Sequence, residues 1–155
     1  MKHYIDLHCD TLMRAALEGR REIGRMEQAM VDLERLRRGG CMAQFFAIFM
    51  PPPGYQGPPL PEDEAYIALL RDVLLETVRL HPEALALAGN AGELEDNRRA
   101  GKVSALLTLE DGRAVDGRLE NLERFYSMGI RLISLTTPTA SARPTPGTRR
   151  SWARG

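Results

Sequence analysis

Close to its start, the chain reads YIDLHCDT over residues 4–11. The stretch opens as a short apolar run, which favours a β-strand, and it ends with His8 and Asp10 two residues apart. Residues i and i+2 of a strand point to the same side. His8 and Asp10 can therefore bind one ion together, while Cys9 between them should point away from that ion and have a structural role.

A second strand-like run carries another candidate ligand. Residues 103–109 are largely apolar and are followed by Glu110-Asp111-Gly112. Imidazole nitrogen and carboxylate oxygen suit zinc, and a carboxylate held between two ions is a usual way to build a two-metal site. Two strands that deliver such groups at their C-terminal ends indicate a metal-dependent barrel hydrolase. His8 and Asp10 would bind one ion, and Glu110 could bridge to a second.

Each of these residues also has an interpretation without a metal. His8 could be a core histidine bonded to backbone, and Asp10 could be a plain helix N-cap. Glu110-Asp111-Gly112 could be an ordinary turn after a strand. His3 and His81 have no partner at ligand spacing, so we expect both on the surface. An H-x-D triplet alone is a weak signal, and it gains weight here because a carboxylate ends another strand.

Length and composition limit the class of protein. A chain of 155 residues can form one domain with a real core. Its 21 basic and 21 acidic residues give zero formal charge, so no electrostatic bias favours nucleic acid or an anionic membrane. Two cysteines are too few for a disulfide framework, and neither a signal peptide nor a transmembrane run is evident. We expect a soluble, cytoplasmic protein with no nucleic-acid or membrane partner.

Short apolar runs alternate with longer amphipathic ones along the chain. Thr11 is predicted to cap the first helix, and Gly39-Gly40 to end the second. The Pro-rich run 51–59 can only be a loop after a strand end, where barrel enzymes keep active-site loops. The alternation predicts an α/β protein with a parallel sheet, and the short loops predict sequential winding. The predicted strands are 4–10, 41–50, 84–88, 103–109 and 130–135, and the helices 12–19, 32–38, 62–80, 91–100 and 119–128.

Five stretches stand together in the order and spacing of a known family: residues 5–12, 33–40, 43–46, 101–112 and 129–136. They resemble the N-terminal part of the membrane (renal) dipeptidase family of zinc peptidases, in its soluble bacterial form. The resemblance implies part of a (β/α)₈ TIM-type barrel, about five strands and incomplete. It further implies a centre of two zinc ions, with His8 and Asp10 as first-strand ligands and Glu110 as the bridging and catalytic carboxylate.

The resemblance also implies a reaction. A metal-bridging hydroxide attacks the peptide carbonyl of a dipeptide substrate, sometimes one with a D-residue at its C-terminal side. The family's two later histidine ligands, its substrate-binding arginine and its catalytic-side aspartate would lie beyond residue 155, and a homodimer stays open as the assembly. Two alternatives remain. One is a non-catalytic half-barrel or interaction module. The other is a different amidohydrolase-like metal barrel, which is disfavoured because such barrels prefer H-x-H on the first strand.

The sequence from residue 137 to 155 differs from the rest. It is rich in Pro, Thr and Arg and has no apolar periodicity, as in a GC-rich gene translated out of frame. Degenerate codons can be chosen so that a one-base shift gives a family-like continuation. We therefore expect a partial dipeptidase barrel over 1–136 and an out-of-frame tail over 137–155, with a naturally disordered tail as the alternative. With open sheet edges and three ligands, such a chain should be poorly soluble, hold zinc weakly and lack dipeptidase turnover.

Overall fold

The computed structural model describes residues 3–52 and 54–135. Its five strands pair in parallel in one sheet, which confirms the predicted α/β class. Residues 137–155, the predicted out-of-frame tail, lie outside the described residues. The strands are β1 Tyr4–Asp6, β2 Cys41–Phe49, β3 Leu85–Leu87, β4 Val103–Glu110 and β5 Ile130–Ile133. The helices are α1 Thr11–Leu17, α2 Leu33–Gly39, α3 Asp63–Leu80, α4 Ala91–Arg99 and α5 Leu119–Ser127, with a short 3₁₀ helix Gly112–Val115.

Strands β2 and β4 form the centre of the sheet. They pair without a break from Ala43↔Ser104 to Phe49↔Glu110. Both are buried along most of their length, because a parallel sheet is covered on both faces and its strands are apolar without alternation. One face belongs to the main core with the helices, through Phe46, Ile48, Leu107 and Leu109 among others.

The strand order differs from the predicted sequential winding. Strand β2 pairs directly with β4, and β3 lies on the other side of β4, along Val103–Ala105. Strand β5 pairs on that same side further along, at Leu107–Leu109. The prediction was wrong because β3 has three residues, ends in the half-exposed Leu87 and is too short to cover the nine residues of β2. The continuous sheet therefore runs β1-β2-β4-β5, with β3 beside the start of β4.

Local signals fix the ends of α2 but not the start of α1. The Asp32 carboxylate accepts a hydrogen bond from the Arg35 N–H at 2.7 Å and caps α2, and Gly40 ends that helix with φ 77°. At α1, the cap prediction was wrong. Asp10 occupies the N-cap position without a side-chain cap hydrogen bond, and the Thr11 hydroxyl donates to the Val31 carbonyl at 3.0 Å instead.

Within the described ranges, every helix is too short or too polar to cross a membrane.

Candidate metal centre

The backbone after β1 continues alongside β2 and sets the direction of two candidate ligands. Cys9 donates its N–H to the Phe45 carbonyl at 3.1 Å, and its own carbonyl accepts from the Ala47 N–H at 2.9 Å. Cys9 thus holds a strand position, and its side chain lies in the main core. His8 and Asp10, on either side, turn to the opposite face of the sheet. Cys9 points away from them, as predicted.

The third candidate ligand comes from the end of β4. Glu110 is the last residue of that strand, pairs with Phe49, and accepts a hydrogen bond through its carbonyl from the Met50 N–H at 3.0 Å. Because the carboxyl ends of parallel strands meet at one edge of the sheet, Glu110 lies near the residues that follow β1. Its side chain is 25% exposed.

These three side chains form one cluster. The His8 Nε2 atom lies 3.4 Å from Asp10 Oδ1 and 3.5 Å from Glu110 Oε2. One nitrogen or oxygen atom from each residue lies within 4.8 Å of the other two. Among the residues that the structure describes, this is the one group of three or more potential metal ligands at such spacing. The structure thus brings the three sequence-predicted ligands together, and their binding of a metal stays a prediction.

The donor set suits a divalent cation such as zinc. It combines one imidazole nitrogen with carboxylate oxygens, and all three side chains reach solvent. The interpretation of His8 as a core histidine is wrong, because its side chain is 51% exposed and faces two carboxylates. Asp10 stands at a helix N-cap position but does not cap the helix, so its carboxylate is available to an ion.

The buried thiol of Cys9 does not compete for that ion. Burial is the main cause that raises the pKa of this thiol to about 11, and hydrogen bonds from Thr11 offset only part of it. A thiol binds metal as its thiolate. Cys9 is therefore protonated at neutral pH, and the side chain faces the core rather than the cluster.

Sequence reasoning missed a residue that joins two loops beside the cluster. Arg113, in the 3₁₀ helix after β4, donates to the carbonyls of Met50, at 3.2 Å, and Pro51. It also donates to Asp63 Oδ1 at 3.2 Å. The loop after β2 is thereby tied to the turn that follows Glu110. An arginine three residues after a candidate ligand was visible in the sequence, but nothing there indicated its partners.

The turn after Glu110 has an unusual backbone. Asp111 has φ 81°, a region that favours glycine. Its N–H donates to Ser134 Oγ at 2.9 Å, and its Oδ1 atom accepts from the Arg113 N–H at 3.0 Å. Glu110-Asp111-Gly112 is therefore a turn as well as the place where a candidate ligand stands, so the two interpretations of this stretch are compatible.

Aromatic residues lie on both faces near the cluster. Phe46 belongs to the main core, whereas Phe49 pairs with Glu110 and shares its face of the sheet. Tyr66 is 2% exposed, and its hydroxyl has no hydrogen-bond partner among the described residues. Burial raises the pKa of that hydroxyl, with smaller effects from Tyr55 and Asp10.

The two other histidines lie outside the cluster. His3 is exposed, as predicted. His81 is half-buried, and its Nε2 atom lies 3.2 Å from Glu22 Oε2, a partner that the sequence did not reveal.

Comparison with known proteins shows the family of this chain. The family model described as membrane dipeptidase (peptidase family M19) matches residues 2–148. The chain belongs to this dipeptidase family. It is 27% identical to the dipeptidase ataJ of Aspergillus terreus over 135 residues, which are 83% of this chain and 31% of that relative.

Two solved structures share the fold. A crystal structure of the metallopeptidase dipeptidase AC, of family M19, has a TM-score of 0.67 and 26% identity over 85% of this chain and 41% of its own. A metallopeptidase from Rhodobacter sphaeroides, liganded with a phosphinate mimic of the dipeptide L-Ala-D-Ala, has a TM-score of 0.68 and 24% identity over 85% and 44%. This chain thus spans about a third of the length of dipeptidase ataJ and less than half of each of these two solved chains. It matches part of their (β/α)₈ barrels.

Proposed function

We propose that His8, Asp10 and Glu110 are zinc ligands in the first part of a dipeptidase active site, and that the substrate class is dipeptides. One observation carries the proposal: two parallel strand ends bring three nitrogen and oxygen donors within 4.8 Å in a chain of the dipeptidase family. Family membership supports metallopeptidase chemistry, and the spacing of the cluster supports the proposal that these three residues carry it.

Each ligand has its own role in this proposal. His8 offers Nε2, and Asp10 offers Oδ1 from the same strand end, so these two would hold one ion. Glu110 faces His8 from the end of β4, on the other side of β2, and its second carboxylate oxygen would be free to bridge to a second ion. When bound, zinc supplies a water molecule of lowered pKa and polarises the peptide carbonyl.

Dipeptides are the substrate class for two reasons. The related Rhodobacter sphaeroides enzyme was crystallised with a mimic of L-Ala-D-Ala. In this chain, Phe49 is partly exposed on the same face as Glu110, which provides an apolar contact beside the ligands. Arg113 holds the loop after β2 close to the turn that follows Glu110.

We further propose that the 155-residue chain binds zinc without turning over dipeptides. The described residues offer three ligands, and a catalytic zinc site has three protein ligands for each ion, shared or not. Three side chains thus supply all the protein ligands of at most one zinc ion. A second ion would have no ligands besides a shared one.

Zinc titration of the full 155-residue chain, followed by calorimetry, tests this proposal. We expect one ion per chain for the wild type, and loss of at least about tenfold in affinity for Glu110→Gln, since one charged ligand is removed. The matched control is Glu27→Gln, because Glu27 is an exposed glutamate away from the cluster. Equal zinc affinity in Glu110→Gln and the wild type would contradict the assignment. Release of alanine from L-Ala-D-Ala by the same preparation, lost in Glu110→Gln, would contradict the proposed lack of turnover.

A further inference from the structure

Both outer edges of the sheet lack a paired strand within the described ranges. In the order β1-β2-β4-β5, these are the outer sides of β1 and β5, and the short β3 beside the start of β4 also has an unpaired outer side. Of the thirteen large apolar side chains that are exposed in this part of the chain, eight lie at these two edges. They are Tyr4, Ile5 and Leu7 at β1, and Leu119, Leu122, Tyr126, Leu132 and Leu135 at α5 and β5. An apolar strand edge is a template for pairing with another chain.

The stagger of the strands indicates which partner fits. On β2, pairing with β1 begins at Cys41. Pairing of β5 begins on β4 at Leu107, which is opposite Phe46 of β2. The strand starts therefore shift by five residues, from 41 to 46, according to these first pairs. The pairs after the register irregularity in each edge strand, Ile5↔Ala43 and Leu132↔Thr108, give a shift of three residues, from 42 to 45. An eight-stranded barrel with a shear of about 8 shifts by about four residues over half its circumference. A second copy of β1, shifted by this amount, would begin level with β5.

We propose that a second copy of this chain closes the sheet. Strand β1 of each copy pairs in parallel with β5 of the other, so that two four-stranded half-barrels form one eight-stranded barrel. A twofold axis along the barrel makes the two contacts equivalent and leaves no free edge among the eight barrel strands, while the short β3 stays beside β4 outside this closure. The parallel direction of all the observed strand pairs is the one that such closure requires. The proposal does not depend on zinc binding.

The side chains at the two edges are placed for this contact. On one edge, Leu132 of β5 pairs with Thr108 of β4. On the other, Ile5 of β1 pairs with Ala43 of β2, which in turn pairs with Ser104 of β4. Ser104 and Thr108 are four residues apart on β4 and so lie on the same face of the sheet. Ile5 and Leu132 therefore line the same inner face, and they are 45% and 42% exposed in the single chain. Beside β5, a groove of about 440 Å³ between α5 and the strand, lined by Leu122, Tyr126 and Ile130 among others, offers further apolar contact.

Sedimentation velocity of the full chain tests the closure. We expect the wild type to sediment as a species of twice the 17.3 kDa chain mass. We expect two single substitutions, Leu132→Asp and Ile5→Asp, to raise the dimer dissociation constant by at least about tenfold each. In both variants an unpaired carboxylate would be buried in the dimer contact. The matched control is Leu80→Asp, since Leu80 is 45% exposed on α3, away from both edges, and should leave the dimer intact.

Several outcomes would overturn the proposal. A wild-type monomer would show that other residues of the chain, or nothing, cover the edges. A series of growing polymers would show edge pairing without closure. Sensitivity to Leu132→Asp alone would indicate contact between two β5 edges rather than between β5 and β1. Far-UV circular dichroism shows whether each variant folds. If Leu132→Asp does not, Tyr126→Asp at the groove beside β5 takes its place, and if Ile5→Asp does not, Leu7→Asp at the β1 edge takes its place.

Discussion

The His8 Nε2 atom lies 3.5 Å from Glu110 Oε2, although one residue follows the first strand and the other ends the fourth. The contact exists because β2, between these strands, pairs with both. It hydrogen bonds to Cys9 on one side and runs in register up to Glu110 on the other. A divalent cation between imidazole and carboxylate would replace a weak polar contact by two coordination bonds, so zinc should stabilise the fold.

We expect zinc to raise the melting temperature of the wild type and not that of His8→Ala. Ligand binding to the folded state adds RT ln(1 + [L]/Kd), which is about 2.7 kcal/mol at a hundredfold excess over Kd. The control is His3→Ala, which removes an exposed histidine outside the cluster and should keep the zinc effect. Thermal unfolding monitored by circular dichroism, with and without zinc, gives the result. An equal zinc-induced shift in His8→Ala would show that the ion binds elsewhere.

Arg113 should govern the order of the loop after β2. Its guanidinium donates to two loop carbonyls and to Asp63, so Arg113→Ala removes three hydrogen bonds at once. We expect a loss of about 1–3 kcal/mol in unfolding free energy and faster amide hydrogen exchange between β2 and α3. Asp63→Asn keeps the bonds to the carbonyls and should have a smaller effect. Unchanged exchange in Arg113→Ala would mean that the loop is held by other contacts.

Backbone strain at Asp111 can be measured with a pair of substitutions. At φ 81° a side chain is disfavoured, but the Asp111 carboxylate also accepts from the Arg113 N–H. Asp111→Ala and Asp111→Gly both lose that bond, and glycine alone relieves the strain. We expect the glycine variant to be more stable than the alanine variant by about 1 kcal/mol or more in denaturant unfolding. Equal stability of the two would show that the turn relaxes around alanine.

The Cys9 thiol predicts a loss of stability at alkaline pH. Burial raises its pKa to about 11 from the ordinary value of 9.0 for a cysteine thiol, so the unfolded chain loses this proton first. Between these values the unfolded state binds fewer protons, and the free energy of unfolding falls as pH rises. Denaturant unfolding at pH 8 and pH 10 should therefore show a larger fall for the wild type than for Cys9→Ala. The same fall in both proteins would contradict a buried, protonated thiol.

The sequence predicted the elements of this fold more fully than their order. Apolar runs and helix caps such as Asp32 and Gly40 are local, so the strands and helices could be placed closely. Whether β2 pairs with β3 or β4 depends on contacts between distant segments, and the three-residue length of β3 decided it. The cap prediction from local sequence was wrong at α1, where the Thr11 hydroxyl donates to the Val31 carbonyl and does not cap its own helix.

The part of the candidate site that lies at the ends of strands could be predicted from the sequence. His8, Asp10 and Glu110 carry chemistry that is evident from residue type and position. Arg113 contributes through its hydrogen bonds to Met50 and Asp63, which lie on other elements. Phe49 lies beside the site because it pairs in register with Glu110. Such neighbours follow only from the folded sheet.

Zinc K-edge X-ray absorption on the zinc-loaded chain tests directly whether His8, Asp10 and Glu110 bind the ion. We expect nitrogen and oxygen neighbours at about 2.0–2.2 Å, with the multiple scattering of one imidazole that disappears in His8→Ala. A sulfur neighbour at about 2.3 Å, or an unchanged spectrum in His8→Ala, would contradict this assignment, because the ion would then lie at a cysteine or at another part of the chain.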